Sequence, residues 1–194
     1  MVVTEPDVKA GPIVVVVPPP GHGGIDRRVF SAINGLPHSA VSDRYISTLS
    51  DLGEGLGWVA GGAALAILGG RKGRRAGLAT ALASVTATYV VQRAVKPIFR
   101  RARPAVDRGA RVVGVRPVDH SFPSGHSASS FAAATALSIY YPKAAPLAFA
   151  VATGVGLSRV HLGVHYPSDA VAGAAVGIGI GTLVGWLVKR QPIL

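Results

Sequence analysis

The sequence predicts an all-α fold: a polytopic membrane bundle of about five transmembrane helices, preceded by amphipathic helices that lie along the interface. Three observations predict it. Hydrophobic residues make up 49% of the 194 residues and charged ones only 15%, with a mean hydropathy of +0.41. The apolar residues are gathered into runs that end in short basic clusters. The last run carries Gly173, Gly177, Gly181 and Gly185 every four residues, on one helix face, as a close helix-packing seam requires. The formal net charge of +11 would suggest nucleic acid in a soluble domain. In a membrane chain it suits anionic head groups, a phosphate-bearing substrate or orientation in the bilayer, and no nucleic-acid partner is expected. Zero cysteines exclude disulfides and thiolate chemistry.

Residues 1–25 read as an extended arm, because Ile13 to Val17 is an apolar stretch hemmed by Pro12 and Pro18-Pro19-Pro20, far short of a span. His22 has no expected role there. Residues 26–194 read as one membrane-embedded domain. From Asp26 to Leu52, Val29, Ile33 and Leu36, then Val41, Tyr45 and Leu49, recur at helical spacing around Asn34-Gly35 and Pro37. Two short amphipathic helices fit, lying on the membrane surface or packed on the bundle. The first apolar run, Leu56 to Gly70, is short and ends at Arg71-Lys72-Gly73-Arg74-Arg75. The second runs from Ala76 to Val95, the third from His126 through Ile139, the fourth from Ala144 to Leu157 and the fifth from Ala170 to Val188.

The chemistry gathers in the stretch Ser158 to Asp169, between the last two runs. His165 and Asp169 are four apart, so the carboxylate can hold one ring N–H and leave the other nitrogen as base, ligand or nucleophile. Arg159 offers a planar cation for an oxyanion. The same residues also fit a plain loop in which Asp169 caps the following helix behind Pro167. If the helices alternate in direction, the end of the second, the start of the third, the end of the fourth and the start of the fifth share one face. That face also receives Lys96 and the arginines at positions 100, 101, 103, 108, 111 and 116. Pro123-Ser124-Gly125-His126 opens the third helix, where Ser124 fits an N-cap, Gly125 a turn and His126 an interfacial histidine. Two helix starts meeting there would make an anion pocket, with Lys96, Arg103 and Arg159 adding three cations. Arg108, Arg111 and Arg116 read as facing head groups.

Lys96-x6-Arg103-Pro104, Pro123-Ser124-Gly125-His126 and Ser158-Arg159-x5-His165-x3-Asp169 resemble, in order and spacing, the three-part signature of the type 2 phosphatidic acid phosphatase (PAP2) family, in its membrane-embedded lipid phosphate phosphatase branch. The resemblance covers Lys96 to Asp169 directly and departs at the N-terminus, where membrane members often have six spans. It implies that His165 attacks phosphorus, Asp169 orients its ring and His126 protonates the leaving group. It also implies that Lys96, Arg103, Ser124, Gly125 and Arg159 bind the phosphate. No cofactor and no catalytic metal are expected, because cations already surround a site with one carboxylate. His161 and His120 match no motif position. The implied partners are a lipid phosphate substrate and membrane lipids, and a homo-oligomer is compatible with both. The candidate substrates are phosphatidic acid, phosphatidylglycerol phosphate, a polyprenyl diphosphate or a polyprenyl-linked sugar phosphate. The alternatives are a silent lipid-phosphate-binding protein and a vanadate-dependent peroxidase. Arg71, Lys72, Arg74, Arg75, Lys143, Lys189 and Arg190 on the opposite face, without an acid, place that face in the cytoplasm and the site outside a bacterial plasma membrane.

Overall fold

Seven α-helices account for most of the chain in the computed structural model, which describes residues 15–16, 24–53, 55–105 and 109–191. Most of the expected arm, His22 and Arg108 lie outside the described residues. Val15–Val16 (β1) pairs in parallel with Phe99–Arg100 (β2). The helices α1 (Ile25–Asn34) and α2 (Ala40–Leu52) fall where the two amphipathic segments were expected. A reciprocal Ser39/Ser42 capping box starts α2. Both helices pack on the bundle: Phe30, Asn34 and Ser50 are buried, while Ile25, Leu36, Val41, Tyr45 and Leu52 remain exposed.

The bundle proper is α3 (Leu56–Leu68), α4 (Gly70–Val90), α5 (Gly125–Tyr140), α6 (Ala145–His161) and α7 (Pro167–Arg190). Two helix boundaries differ from those read in the sequence. Arg71-Lys72-Gly73-Arg74-Arg75 forms the first turns of α4 rather than a loop, since Gly70, at φ +61°, makes the turn alone and Lys and Arg are good helix formers. The fourth helix runs on through His161, so Ser158 to Asp169 is not one loop: its first four residues end α6, its last three begin α7, and only Leu162 to Tyr166 connect them.

Small residues fill the centre. Ala76, Ala79, Ala83 and Ala87 of α4 pack with Ala128, Ala132 and Ala136 of α5, and α7 closes against both. The expected glycine seam lies in this contact: a Cβ on Gly177 would stand 2.3 Å from the Ala128 carbonyl oxygen, and one on Gly181 2.4 Å from that of Ala132. Large apolar side chains point the other way, with Leu82, Val85, Tyr89, Ile178, Leu183 and Leu187 exposed. A core of Ala and Gly beneath a coat of Leu, Ile and Val is the arrangement a lipid solvent favours, where close backbone approach replaces hydrophobic burial between helices. By length and composition alone α7 qualifies as a span, and α3 is apolar but only 13 residues long. α5 and α6 are shorter, at 16 and 17 residues, and α4 opens on four basic residues, Arg71, Lys72, Arg74 and Arg75. Thr80, Thr135 and Ser138 return their hydroxyls to carbonyls one turn back, so these groups are satisfied without water.

Candidate active site

The end of α4 aims the first cation. The helix continues into a π-helical turn, Val91–Val95, closed by Lys96 N–H donating to the Val91 carbonyl at 2.9 Å, and this wider turn rotates Lys96 relative to an uninterrupted α-helix. Lys96, Arg103, Gly125, His126, Arg159 and His165, with Thr88, Gln92, Pro117 and Asp119, line a cavity of about 150 Å³. It thus joins residues 96, 103, 125, 126, 159 and 165 of the candidate set. Ser124 and Asp169 lie behind it and are fully buried.

His165 sits in the α6–α7 connection, 1% exposed. Its Nε2 is 3.1 Å from an Arg103 Nη1 that also donates to the Val164 carbonyl at 2.7 Å. A guanidinium only donates, so Nε2 accepts and the ring proton resides on Nδ1. That nitrogen faces Asp169 Oδ2 at 3.6 Å, an ion-pair distance rather than a direct hydrogen bond. The ring therefore presents a lone pair toward the cavity and a proton toward the carboxylate. Burial foremost, with repulsion from Arg103 and Arg159, lowers the imidazole to about 4 against the pull of Asp169, so the lone pair is available at neutral pH.

Asp169 is anchored more firmly by others than by His165. Its Oδ2 accepts from Tyr166 N–H at 2.8 Å, and its Oδ1 from Arg101 Nη1 at 2.6 Å. Arg101 also donates to Ser168 Oγ at 2.7 Å and to Asp26 Oδ2 at 2.8 Å, and it lies over the Tyr166 ring. Asp26 Oδ1 in turn accepts from Ser168 N–H at 2.9 Å. Two carboxylates, Asp169 and Asp26 of α1, thus accept backbone N–H groups at the start of α7. The two helix starts do meet, through Ser124 N–H on the Asp169 carbonyl at 2.9 Å, but only the α5 start opens on the cavity, at Gly125. Ser124 is the N-cap of α5, its hydroxyl accepting from Ser127 N–H at 3.4 Å.

Asp119 holds the first two cations together. It accepts from Lys96 Nζ, and its Oδ1 accepts from Arg103 Nη2 at 2.6 Å, while its carbonyl takes Arg103 Nε at 2.9 Å. Burial alone would raise this carboxyl, but the hydrogen bonds and charges of Lys96 and Arg103 bring it down to about 2. Arg159 is set by Ser50 of α2, whose Oγ accepts from its Nη1 at 2.7 Å. The sequence reading missed Arg101, Asp119, Ser50 and Asp26. No local spacing could have supplied them, since they meet their partners across 16 to 142 residues. Arg111 and Arg116 have exposed side chains, as a head-group-facing patch would, though Arg116 also donates to the Arg103 carbonyl at 3.1 Å.

The chain is 37% identical over 140 residues to the decaprenylphosphoryl-5-phosphoribose phosphatase of Mycobacterium tuberculosis, covering 70% of this chain and 75% of that one. Its fold resembles that of Aquifex aeolicus LpxE, with a TM-score of 0.63 at 24% identity, covering 84% of this chain and 96% of that one. It equally resembles the transmembrane PAP2-type phosphatidylglycerolphosphate phosphatase of Bacillus subtilis, with a TM-score of 0.63 at 22% identity, over 89% and 91% of the two chains. Residues 77–192, which hold every cavity-lining residue, match the PAP2 superfamily, and this integral membrane chain belongs to that family of phosphatases.

Proposed function

We propose that the chain hydrolyses a phosphomonoester or diphosphate carried on a membrane lipid, through a phosphohistidine formed on His165. The observation that carries this reading is the orientation of that ring, with the Nε2 lone pair toward a cavity of three cations and Nδ1–H toward a buried carboxylate. A phosphoryl group entering the cavity would take over the N–H groups of Arg103, releasing Nε2 to attack phosphorus as the bond to the leaving oxygen breaks. Lys96, Arg103 and Arg159, with the Gly125 N–H at the start of α5 and the Ser124 cap behind it, would stabilise the charge gathering on the phosphoryl oxygens. Asp169 would offset the positive charge that the phosphorylated ring acquires. His126 would protonate the departing alkoxide, and water would then hydrolyse the phosphohistidine.

Two features support a lipid substrate. An apolar groove of about 480 Å³ between α3 and α4, lined by Gly55, Leu56, Val59, Val85 and Tyr89, shares Thr88 and Gln92 with the phosphate cavity. A head group in the cavity can therefore keep its hydrocarbon chain against the outer face of the bundle. The name of the mycobacterial relative makes a polyprenyl-linked sugar phosphate the first substrate to try. We place the site on the outer face of a bacterial plasma membrane, within a single domain of residues 26–194. The start of α4 and the ends of α5 and α7 meet at the opposite pole, where Arg75 reaches the Gln191 carbonyl and Lys72 lies over Tyr141, and that pole is uniformly basic.

The test is phosphate release from a panel of lipid phosphates in detergent, without added divalent ions, comparing wild type with His165→Ala. Release that vanishes in the variant, with a phosphohistidine trapped only in wild type, is the expected result. Release by His165→Ala near the wild-type rate would overturn it.

A further inference from the structure

Away from the phosphate cavity, three potential ligand atoms converge where α1, α2 and α6 meet. His38, in the α1–α2 connection, places Nδ1 2.7 Å from Asp43 Oδ1. His161, the last residue of α6, places Nε2 3.7 Å from the same oxygen. The three atoms lie within 4.8 Å of one another, and the imidazole rings stack with centroids 4.1 Å apart. The side chains are 2% exposed for His38, 9% for His161 and 13% for Asp43, so solvent does little to screen them.

The far side of each ring fixes what the near side presents. His38 Nε2 is 3.0 Å from the Asn34 carbonyl oxygen, and His161 Nδ1 is 3.3 Å from that of Ile33. A carbonyl only accepts, so these two nitrogens donate, and in a neutral ring the opposite nitrogen bears the lone pair. The opposite nitrogens both lie near Asp43 Oδ1, at 2.7 and 3.7 Å, and His161 Nε2 is buried with no hydrogen-bond partner. With both rings neutral, two lone pairs and a carboxylate gathered there repel unless a cation sits among them. A backbone carbonyl behind each imidazole is also the usual way that a metal-binding histidine is oriented.

We propose that His38 Nδ1, His161 Nε2 and Asp43 Oδ1 bind a divalent transition-metal ion that clamps α2 to the end of α6. Two imidazoles and one carboxylate are a ligand set suited to Zn²⁺, with water at the fourth position. Tetrahedral ligands at about 2.0–2.2 Å from zinc stand roughly 3.3–3.5 Å apart. The observed 2.7 and 3.7 Å bracket that spacing, and because the two rings stack nearly parallel, one of them must turn for both in-plane lone pairs to reach one ion. None of the three residues lines the phosphate cavity, and the ion takes no part in phosphoryl transfer. Its work is positional. Asn34 already ties α1 to this junction by donating to the His161 carbonyl at 2.8 Å, Ser50 of α2 holds Arg159, and His165 follows His161 in the α6–α7 connection.

The experiment uses the full chain, purified in detergent without a polyhistidine tag, stripped with a chelator and dialysed against micromolar zinc sulfate. Zinc per chain is measured by mass spectrometry, together with the melting temperature. One bound equivalent and a rise of several degrees in Tm are expected. Asp43→Asn and His161→Gln should each lose the equivalent, and with it the zinc-dependent rise, while His165→Ala, which lacks the proposed nucleophile, keeps both. Cobalt substitution reads the site without any variant, through the visible absorption of a tetrahedral Co²⁺ centre. Less than a tenth of an equivalent in wild type would overturn the proposal, leaving His38 hydrogen-bonded directly to Asp43. Zinc retained by Asp43→Asn and His161→Gln but lost in His165→Ala would overturn it equally, by placing the metal in the phosphate cavity.

Discussion

Arg101 donates to Asp169 at 2.6 Å, a full ångström closer than the 3.6 Å that separates Asp169 from His165. The carboxylate of the histidine–aspartate pair is thus held chiefly by an arginine, and the same guanidinium reaches Asp26 of α1. Three elements are joined at one buried point: α1, the loop after β2, and the start of α7.

Arg101→Ala is expected to damage both folding and hydrolysis. Asp169 is fully buried, and removing its partner leaves an uncompensated charge, a change that typically costs roughly 3–5 kcal/mol. Arg101→Lys keeps the charge but not the fork that spans Asp169 and Asp26, so it should fold with a lowered Tm and lose at least about tenfold in kcat through a misplaced Asp169. Thermal melts and steady-state kinetics on the two variants check this. Wild-type kcat in Arg101→Lys would show that the pair serves stability alone.

The pH profile follows from His165. A protonated Nε2 cannot attack, so kcat/KM should rise with pH through about 4 and stay level on that limb above it. Asp169 is the group that favours the imidazolium, so in Asp169→Asn the limb should move further toward acid while kcat falls. Stability has the same sign. A histidine depressed from 6.5 to about 4 binds its proton more weakly in the folded state, so native stability is full above 6.5 and declines as pH falls toward 4. Returning acid-treated enzyme to neutral pH before assay separates titration of the nucleophile from unfolding. A limb near 6.5 in wild type would mean that the ring is less buried than the fold places it.

Residues near one another in sequence were legible; those meeting across the fold were not. His165 and Asp169 could be paired because they stand only four residues apart, and Lys96 and Arg103 were marked by their motif. Asp119 could not be, since nothing in its neighbourhood says that it will lie between those two cations. Among the arginines from 100 to 116, charge alone did not single out Arg101 as folded inward along with Arg103. The end of α6 was read four residues early because Arg159 and His161 look like a polar exit from an apolar run. Tertiary partners absorb both side chains, with Arg159 on Ser50 and His161 against the Ile33 carbonyl.

Asp119 competes with substrate for the cations it holds. Its side chain is 37% exposed at the cavity edge, so a phosphoryl group approaching Lys96 and Arg103 must displace an anion already there. Asp119→Asn removes that competitor. A partly exposed pair of this kind is worth up to about 1 kcal/mol, so the inhibition constant for inorganic phosphate should fall by up to about fivefold. Inhibition curves against a fixed lipid phosphate read this directly. A weaker phosphate affinity in Asp119→Asn would show instead that the carboxylate's main task is to keep Lys96 and Arg103 in place.

The α5–α7 seam predicts a stability effect separable from chemistry. A Cβ at Gly177 would meet the Ala128 carbonyl oxygen at 2.3 Å and the Ala132 nitrogen at 3.0 Å, both backbone atoms that cannot swing aside. Gly177→Ala should therefore push the helices apart and cost about 1–3 kcal/mol, and Gly177→Leu should prevent assembly of the bundle. Gly179, on the same helix but with open space around its Cβ position, is the control: Gly179→Ala should be neutral or slightly stabilising, as alanine favours helix. Because Gly173, one turn nearer the site, backs directly onto the Ser124 carbonyl, the same change there should also move the α5 start and lower kcat. Melting temperatures and kcat for the four variants test the gradient along α7, and a loss of kcat at Gly177→Ala with unchanged Tm would contradict a purely structural seam.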